Sequence, residues 1–512
     1  MAAAEKPLSD TDFENVLETG VGWEKIIALS DRQVRKLSRF KGVTIDEGFV
    51  HSFEASVTNS ASDEIQAVSR KLEPLRGSRG VLPLFALENI SGRQARELSA
   101  FYGHTILLWS VKSLNLGQAT ALAQFHGDWN YAALDLRGLE SLSRQSAEAL
   151  AQFRGDLLNL NGLLRIEDSV ATALSKAQCK ELDLNGLQRL TLKQASALGA
   201  FGGERIKLNG LRDLTTLQAR ALAGFAGEEM SLPGITLTDD VVIAELASFD
   251  GLMLDLSGLR YLSDGQAKTL ATFGGAELNL SGLLTLSDLQ ARELGEAKCR
   301  KLRLDGLTRI SETQAASLAK FAGKTLSLGA WDQFDIQQIE NFAGDNLYLT
   351  GLTEMTQQTV NSVLRCQARM VWLNADVVVS DKNFALLAET DSVGLVLSNV
   401  ESLKRVPLQL LMTWSGGLQF NSVTELDERF LPALATWKGS ALHLDGVVEL
   451  QAGQAQALSA FHCAELSVSG LRALTDSDVE RLIEYTGRPL DVSGWSDESR
   501  RLYFQKQFAQ RK

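Results

Sequence analysis

Residues 182–203 read LDLNGLQRLTLKQASALGAFGG, and the arrangement returns at 278–294 as LNLSGLLTLSDLQAREL. The shared unit is L-x-L-x-G-L-x-x-L-[ST]-x-x-Q-A-x-x-L-A-x-F-x-G-x-x, 24 residues long. Its first glycine stands at 138, 162, 186, 210, 234, 258, 282 and 306, a constant spacing of 24. Weaker copies align on Ala330, Gly351, Ala375, Asn399, Ser422, Gly446, Gly470 and Gly494, and upstream ones on Lys25, Glu47, Ala86 and Ser110. That makes about 20 units, so the three-domain expectation from a length of 512 residues gives way to one repeat array.

Each slot has a physical reason. L-x-L is a short strand whose leucines share a face by the period of two. The glycine after it marks a tight turn or a close approach to a neighbour. Ser or Thr followed three residues later by Gln is a capping box that opens a helix. It occurs at Ser30/Gln33, Ser91/Gln94, Thr191/Gln194, Thr215/Gln218, Ser263/Gln266, Ser287/Gln290 and Ser311/Gln314. Ala, Leu, Ala and Phe then recur at helical spacing as an apolar stripe, and the second glycine reads as a helix stop. A strand and a helix this short cannot bury their own apolar faces, so neighbouring units must stack.

The pattern resembles the leucine-rich repeat family over almost the whole chain. The likeness rests on the 24-residue period and on apolar positions such as Leu182, Leu184, Leu187 and Leu190. Standard members place Asn or Cys in the turn after the strand. Here that place holds a Gly-Leu pair, as at Gly186 and Leu187, which is similar to the non-standard bacterial arrays. The resemblance implies an α/β solenoid, horseshoe or superhelix, with one parallel strand and one helix per repeat. It also implies recognition of proteins or peptides, because arrays of this kind generally serve that purpose.

The expected organisation is an N-terminal cap at 1–20, a solenoid at 21–494 and a C-terminal capping helix at 495–512. An insertion interrupts the array at 48–80. The unit at Ser110 runs about four residues long, the unit at Ala330 about three short, and the consensus fades between 370 and 440.

Catalytic constellations fail against the repeat. Gly323, Lys324 and Thr325 match the end of a P-loop, but the glycine required five residues earlier is Leu318. Cys179, Cys299 and Cys463 take the second-glycine slot and Cys366 the phenylalanine slot, several repeats apart, which excludes a disulfide scaffold or a metal cluster. The five histidines form no metal or triad motif, and the recurring Gln is a cap. The sequence therefore predicts no enzyme, no cofactor and no metal.

Between the strand leucines, opposite charges stand on neighbouring strands, as Glu181 and Asp183 beside Arg205 and Lys207, and Glu277 beside Lys301 and Arg303. This mixture, with a net charge of −12, argues against nucleic acid. A ladder of Asn, Asp and Ser one step beyond the strand, Asn185 and Asn209 among them, should bond to the adjacent turn. Aromatic residues break the polar profile twice. Phe85 and Trp109, with Leu107, occupy face slots near the N-terminus, and Tyr348 and Trp372 fall on successive strands. Exposed aromatics on a rigid face have the composition of interface anchors, so these four are the candidate binding residues.

The first residues contain no signal-peptide core, and nowhere do 18 consecutive apolar residues occur to span a membrane. With four cysteines in 512 residues, the expected location is the cytoplasm. The expected function is a non-enzymatic protein-binding scaffold. The alternatives are a structural, self-assembling component or a host-targeted bacterial effector.

Overall fold

The computed structural model describes residues 80–351 nearly throughout, omitting 128–130, 237 and 331–335. It also describes 8–19, much of 25–43, and, with gaps, 354–374, 378–379, 394–398, 417–426, 441–485 and 490–510. All but residue 80 of the expected insertion at 48–80, and most of the faded stretch 370–440, lie outside the described residues. The chain divides into two compact units, residues 1–259 and 260–512.

In the first unit, short strands alternate with short helices. The strands are β1 (Val81–Pro83), β2 (Thr105–Leu107), β3 (Ala133–Asp135), β4 (Leu157–Asn159), β5 (Glu181–Asp183), β6 (Arg205–Lys207), β7 (Glu229–Ser231) and β8 (Met253–Asp255). Each pairs in parallel with the next, and Leu182 faces Ile206, 24 residues on. The 28-residue step from Thr105 to Ala133 confirms the four extra residues of the Ser110 unit. In the second unit β9 (Glu277–Asn279), β10 (Lys301–Leu304), β11 (Thr325–Ala330), β12 (Asn346–Gly351), β14 (Met370–Asn374) and β16 (Gly394–Ser398) form a parallel series. Thr325 faces Asn346, 21 residues on, so the short unit loses three residues without shifting register. β13 (Glu354–Met355) and β15 (Val378–Val379) form a separate pair, and β17 (Gly417–Gln419), β18 (Ala441–His443) and β19 (Glu465–Ser467) a parallel trio. The fold is a leucine-rich-repeat solenoid, as the sequence pattern requires.

The core is the stack of repeat slots. Leu182, Leu184, Leu187, Ala195 and Leu198 are buried between neighbours. The phenylalanines form ladders: Phe201, Phe225 and Phe249 stack at successive centroid distances of 6.0 Å, with planes 5° and 8° apart. Offset stacking of this kind adds to the burial itself.

The recurring glutamine does more than cap. Gln194 donates its backbone N–H to Thr191 Oγ1 (3.1 Å) and accepts from Thr191 N at 2.8 Å. Its Nε2 donates to the Ile166 carbonyl of the preceding repeat at 2.8 Å. Gln218, Gln290, Gln314 and Gln454 repeat the cross-repeat bond, to Leu190, Leu262, Leu286 and Leu426, at 2.7–2.9 Å. In the repeat where Ser146 takes this slot, its Oγ donates to Leu114 O instead, at 2.8 Å. The glutamine thus joins units as well as opening helices, and its spacing alone reveals only the second role.

The second glycine is not a left-handed helix stop in most repeats. Gly203 lies three residues beyond the C-cap Ala200 and lacks a positive φ. A Cβ there would collide with the Phe201 ring and the Cys179 carbonyl of the preceding repeat. Only Gly42 and Gly127 adopt a positive φ in this slot among the described residues, and both precede places where the repeat length departs from 24. The first glycine meets a similar constraint: a Cβ on Gly186 would overlap the Asn161 carbonyl oxygen. Two of the cysteines follow the same logic. Where the ring is absent, at Ala177 and Ala297, the glycine is replaced by Cys179 and Cys299, both buried. Burial pushes both thiols up to about 12.

At the two ends, short helices continue the stack. The helix Asp10–Thr19 buries Phe13 and is joined to the next by the same glutamine bond, Gln33 Nε2 to Leu8 O at 2.8 Å. The helix Asp497–Gln510 buries Tyr503, whose hydroxyl accepts the Leu490 amide at 3.3 Å. Trp495, fully buried in a leucine slot, donates its indole N–H to Val468 O at 2.9 Å.

Two outcomes are expected from stability measurements. Ala177→Phe should destabilise by about 1–3 kcal/mol through overpacking, and adding Cys179→Gly should recover most of the loss, in a double-mutant cycle read by denaturant melts. Gln218→Ala should cost roughly 1–3 kcal/mol, because it leaves the buried-side Leu190 carbonyl and the Thr215 amide without partners.

Candidate binding site

The strand face is built by every second residue of each strand, and these side chains stand beside their equivalents on neighbouring strands. In the first unit it is a charged and hydrogen-bonded surface. Glu181 Oε2 accepts from Arg205 Nε at 2.9 Å and Oε1 lies 2.6 Å from Lys207 Nζ. Asp135 is gripped by Arg137, with Nη2 to Oδ2 at 2.5 Å. Asp183, Asn159 and Asp255 accept the backbone N–H two residues on, from Asn185, Asn161 and Ser257, at 2.9–3.0 Å. The expected ladder bond to the adjacent turn is present where Asn185 Oδ1 accepts the Asn209 amide at 2.8 Å.

Not every charge is compensated. Burial pushes the Asp183 carboxyl up to about 6, against the pull of Lys207 and with added repulsion from Asp135 and Glu181. Burial likewise raises Glu229, with Glu181 and Asp255 adding like charge.

The four candidate aromatics fall into two groups. Phe85 and Trp109 pack against each other at 5.8 Å between centroids. Their expected exposure is corrected by the structure: Phe85 is 6% exposed, Trp109 7% and Leu107 0%. Arg137, one repeat on, lays its guanidinium over the indole at 4.4 Å, and its grip on Asp135 holds it there. A cation over an indole face covers the ring while keeping its own charge paired.

Tyr348 and Trp372 face each other on β12 and β14. Their rings stack at 5.0 Å with planes 14° apart, and both stay half-buried. The indole Nε1 donates to Asn346 Oδ1 at 2.9 Å, which anchors the Trp372 ring from the neighbouring strand. Asn346 precedes Tyr348 by two residues and so shares its face, a period-two signal that the sequence already contained. Partial burial raises the Tyr348 hydroxyl above its usual range. On the β11 side, Ser327 Oγ donates to Asp305 Oδ1, and Thr350 Oγ1 donates to the Leu328 carbonyl at 3.1 Å. Met370, half-buried, lies two residues from Trp372 on the same face.

Among the described residues, no group of three or more His, Cys, Asp or Glu is placed to hold a metal ion. No described helix is long and apolar enough to cross a membrane.

No protein-family model matches the sequence, and no curated protein matches it. Solved structures that match include the TLR13 chain of a crystal structure of a TLR13–ssRNA13 complex, at 14% identity and a TM-score of 0.40. The alignment covers 80% of this chain and 64% of that one, so this chain spans less than two thirds of its length.

The charged face yields a pH prediction. A carboxyl with a folded pKa near 6 and an unfolded value of 3.8 binds its proton more tightly when folded. Its ionised form therefore burdens the fold at neutral pH, and stability should rise as pH falls through 6 toward 4. Asp183→Asn keeps the acceptor for Asn185, as Asn159 does one repeat earlier, and removes the charge. The variant should be more stable than wild type at pH 7 by up to roughly 2 kcal/mol. The difference should vanish near pH 4 in denaturant titrations.

Proposed function

We propose that the chain is a non-enzymatic binding scaffold and that the face around Tyr348 and Trp372 docks a protein or peptide. The observation that carries this reading is the stacked pair itself. Two large rings stand half-buried on a face whose rows on β9, β10 and β11 are polar or charged, held in one orientation by the Asn346 bond. Large rings already fixed in place offer contact area at little ordering cost on binding. Phe85 and Trp109, covered by Arg137 and by each other, are assigned a structural part in this proposal.

A self-assembling array is the competing reading. The helix Asp497–Gln510 packs against the helix Asp476–Leu482 and its Tyr503 hydroxyl accepts the Leu490 amide, a cover that weighs against end-to-end growth from this repeat. A cytoplasmic location is part of the same proposal.

Tyr348→Ala with Trp372→Ala tests the docking role. Affinity purification from the native cell with mass spectrometry should recover a partner with wild type that the double variant loses. The melting temperature should stay within about 2 °C, because half-exposed rings contribute less than core ones. Early melting of the double variant would assign the rings to the core. Light scattering on a size-exclusion column should return a monomer mass at all concentrations, and a mass that grows with concentration would favour self-assembly.

A further inference from the structure

The rim beside the aromatic pair carries a charge pattern opposite to that of the chain as a whole. Just before β10, β11 and β14 stand Arg300, Lys324 and Arg369, all exposed. On the strand face Lys301 and Arg303 follow. The rim is continuous in the backbone: Lys324 N donates to Arg300 O at 2.7 Å, Asn346 N to Lys324 O at 2.9 Å, and Met370 N to Asp345 O at 2.9 Å. Asp345 lies 3.6 Å from Lys324, Glu277 3.0 Å from Lys301, and Asp305 3.0 Å from Arg303. Arg300 and Arg369 make no ion pair among the described residues. Five cations thus meet three carboxylates here, in a chain whose net charge is −12. The equivalent rim of the first unit has the other sign, with Asp156, Glu204 and Glu228 around Lys180.

We infer that this basic rim and the Tyr348–Trp372 pair together take an acidic, aromatic-bearing segment of a partner protein, an inference that rests on the docking role proposed above. Arg300 and Arg369 are three strand steps apart, roughly 14 Å, which about four residues of extended chain would span. Carboxylates spaced along such a segment meet the exposed guanidinium groups singly, and its ring packs against Trp372 and Met370. A nucleic acid strand fits less well. Asp345, Glu277 and Asp305 interleave with the cations and would repel a uniformly charged phosphate backbone. The two rings are closed on each other at 5.0 Å, leaving no gap between them for a base.

Fluorescence anisotropy with three labelled probes tests this: a random poly(Glu,Tyr) copolymer, poly(Lys,Tyr) of matched length, and oligouridine. Poly(Glu,Tyr) should bind, with affinity falling about tenfold or more as salt rises, as expected of screened surface charges. The triple variant Arg300→Glu, Lys324→Glu, Arg369→Glu should lose at least about tenfold, and so should Tyr348→Ala with Trp372→Ala. All three cations are exposed, so the charge-reversed protein should melt as wild type does. If it does not, Arg300→Gln with Arg369→Gln provides the same readout and should lose several-fold. Unchanged binding in the charge variants, equal binding of poly(Lys,Tyr), or tighter binding of oligouridine overturns the inference. If the charge variants bind as wild type while the aromatic double variant still loses its cellular partner, the docking role stands and the acidic partner falls. If neither set changes binding, both fall.

Discussion

A three-residue strand and a two-turn helix close no core of their own, so every apolar slot must be buried against the neighbouring repeat. The rest of the structure follows from how closely two repeats can approach. Strand pairing sets the approach on one side, and the ladder of phenylalanine rings, 6.0 Å apart, sets it on another. At that separation the turn carbonyl of one repeat sits where a Cβ of the next would be, as Asn161 does for Gly186. The glycines are therefore kept by contact between repeats, and the glutamine amide reaches the preceding carbonyl because the same spacing brings it there.

Close approach also explains the electrostatics of the strand face. Neighbouring strands hold face side chains roughly 5 Å apart, so a charge that finds an opposite partner is stabilised and one that does not is desolvated by its neighbours. Glu181 meets Arg205 and Lys207, whereas Asp183 is left with a raised pKa. Aromatic side chains on the same face stack on one another for the same reason. Whether a ring remains available then depends on the residue that a neighbouring repeat brings to it. Arg137 covers Trp109, while Asn346 only tethers the edge of Trp372.

Variation in repeat length is absorbed away from the strands. Four extra residues after Gly127 and three missing before Asn346 leave the parallel register intact, because the strands are the most constrained part of each unit and the turns the least. The left-handed glycines Gly42 and Gly127 mark two of the places where the chain leaves the standard path.

The fold was legible in the primary structure because it is periodic. One unit written repeatedly shows which positions are apolar, which cap a helix and which tolerate only glycine, and stacking is the sole way to bury such a unit. The charge ladder was legible too, since the 24-residue repeat puts Glu181 beside Arg205. Events between repeats were not. The cross-repeat glutamine bond looks from the sequence like a local cap. The second glycine looks like a helix stop, although Phe201 and the preceding carbonyl are what exclude a side chain there. Phe85 and Trp109 read from the sequence as face slots like Tyr348 and Trp372, but the strand register sets them two residues past their strands, where they pack on each other and Arg137 lies over Trp109. Periodicity determines the face on which a side chain stands. What lies over it depends on distances between chain segments, and tertiary packing alone decides those.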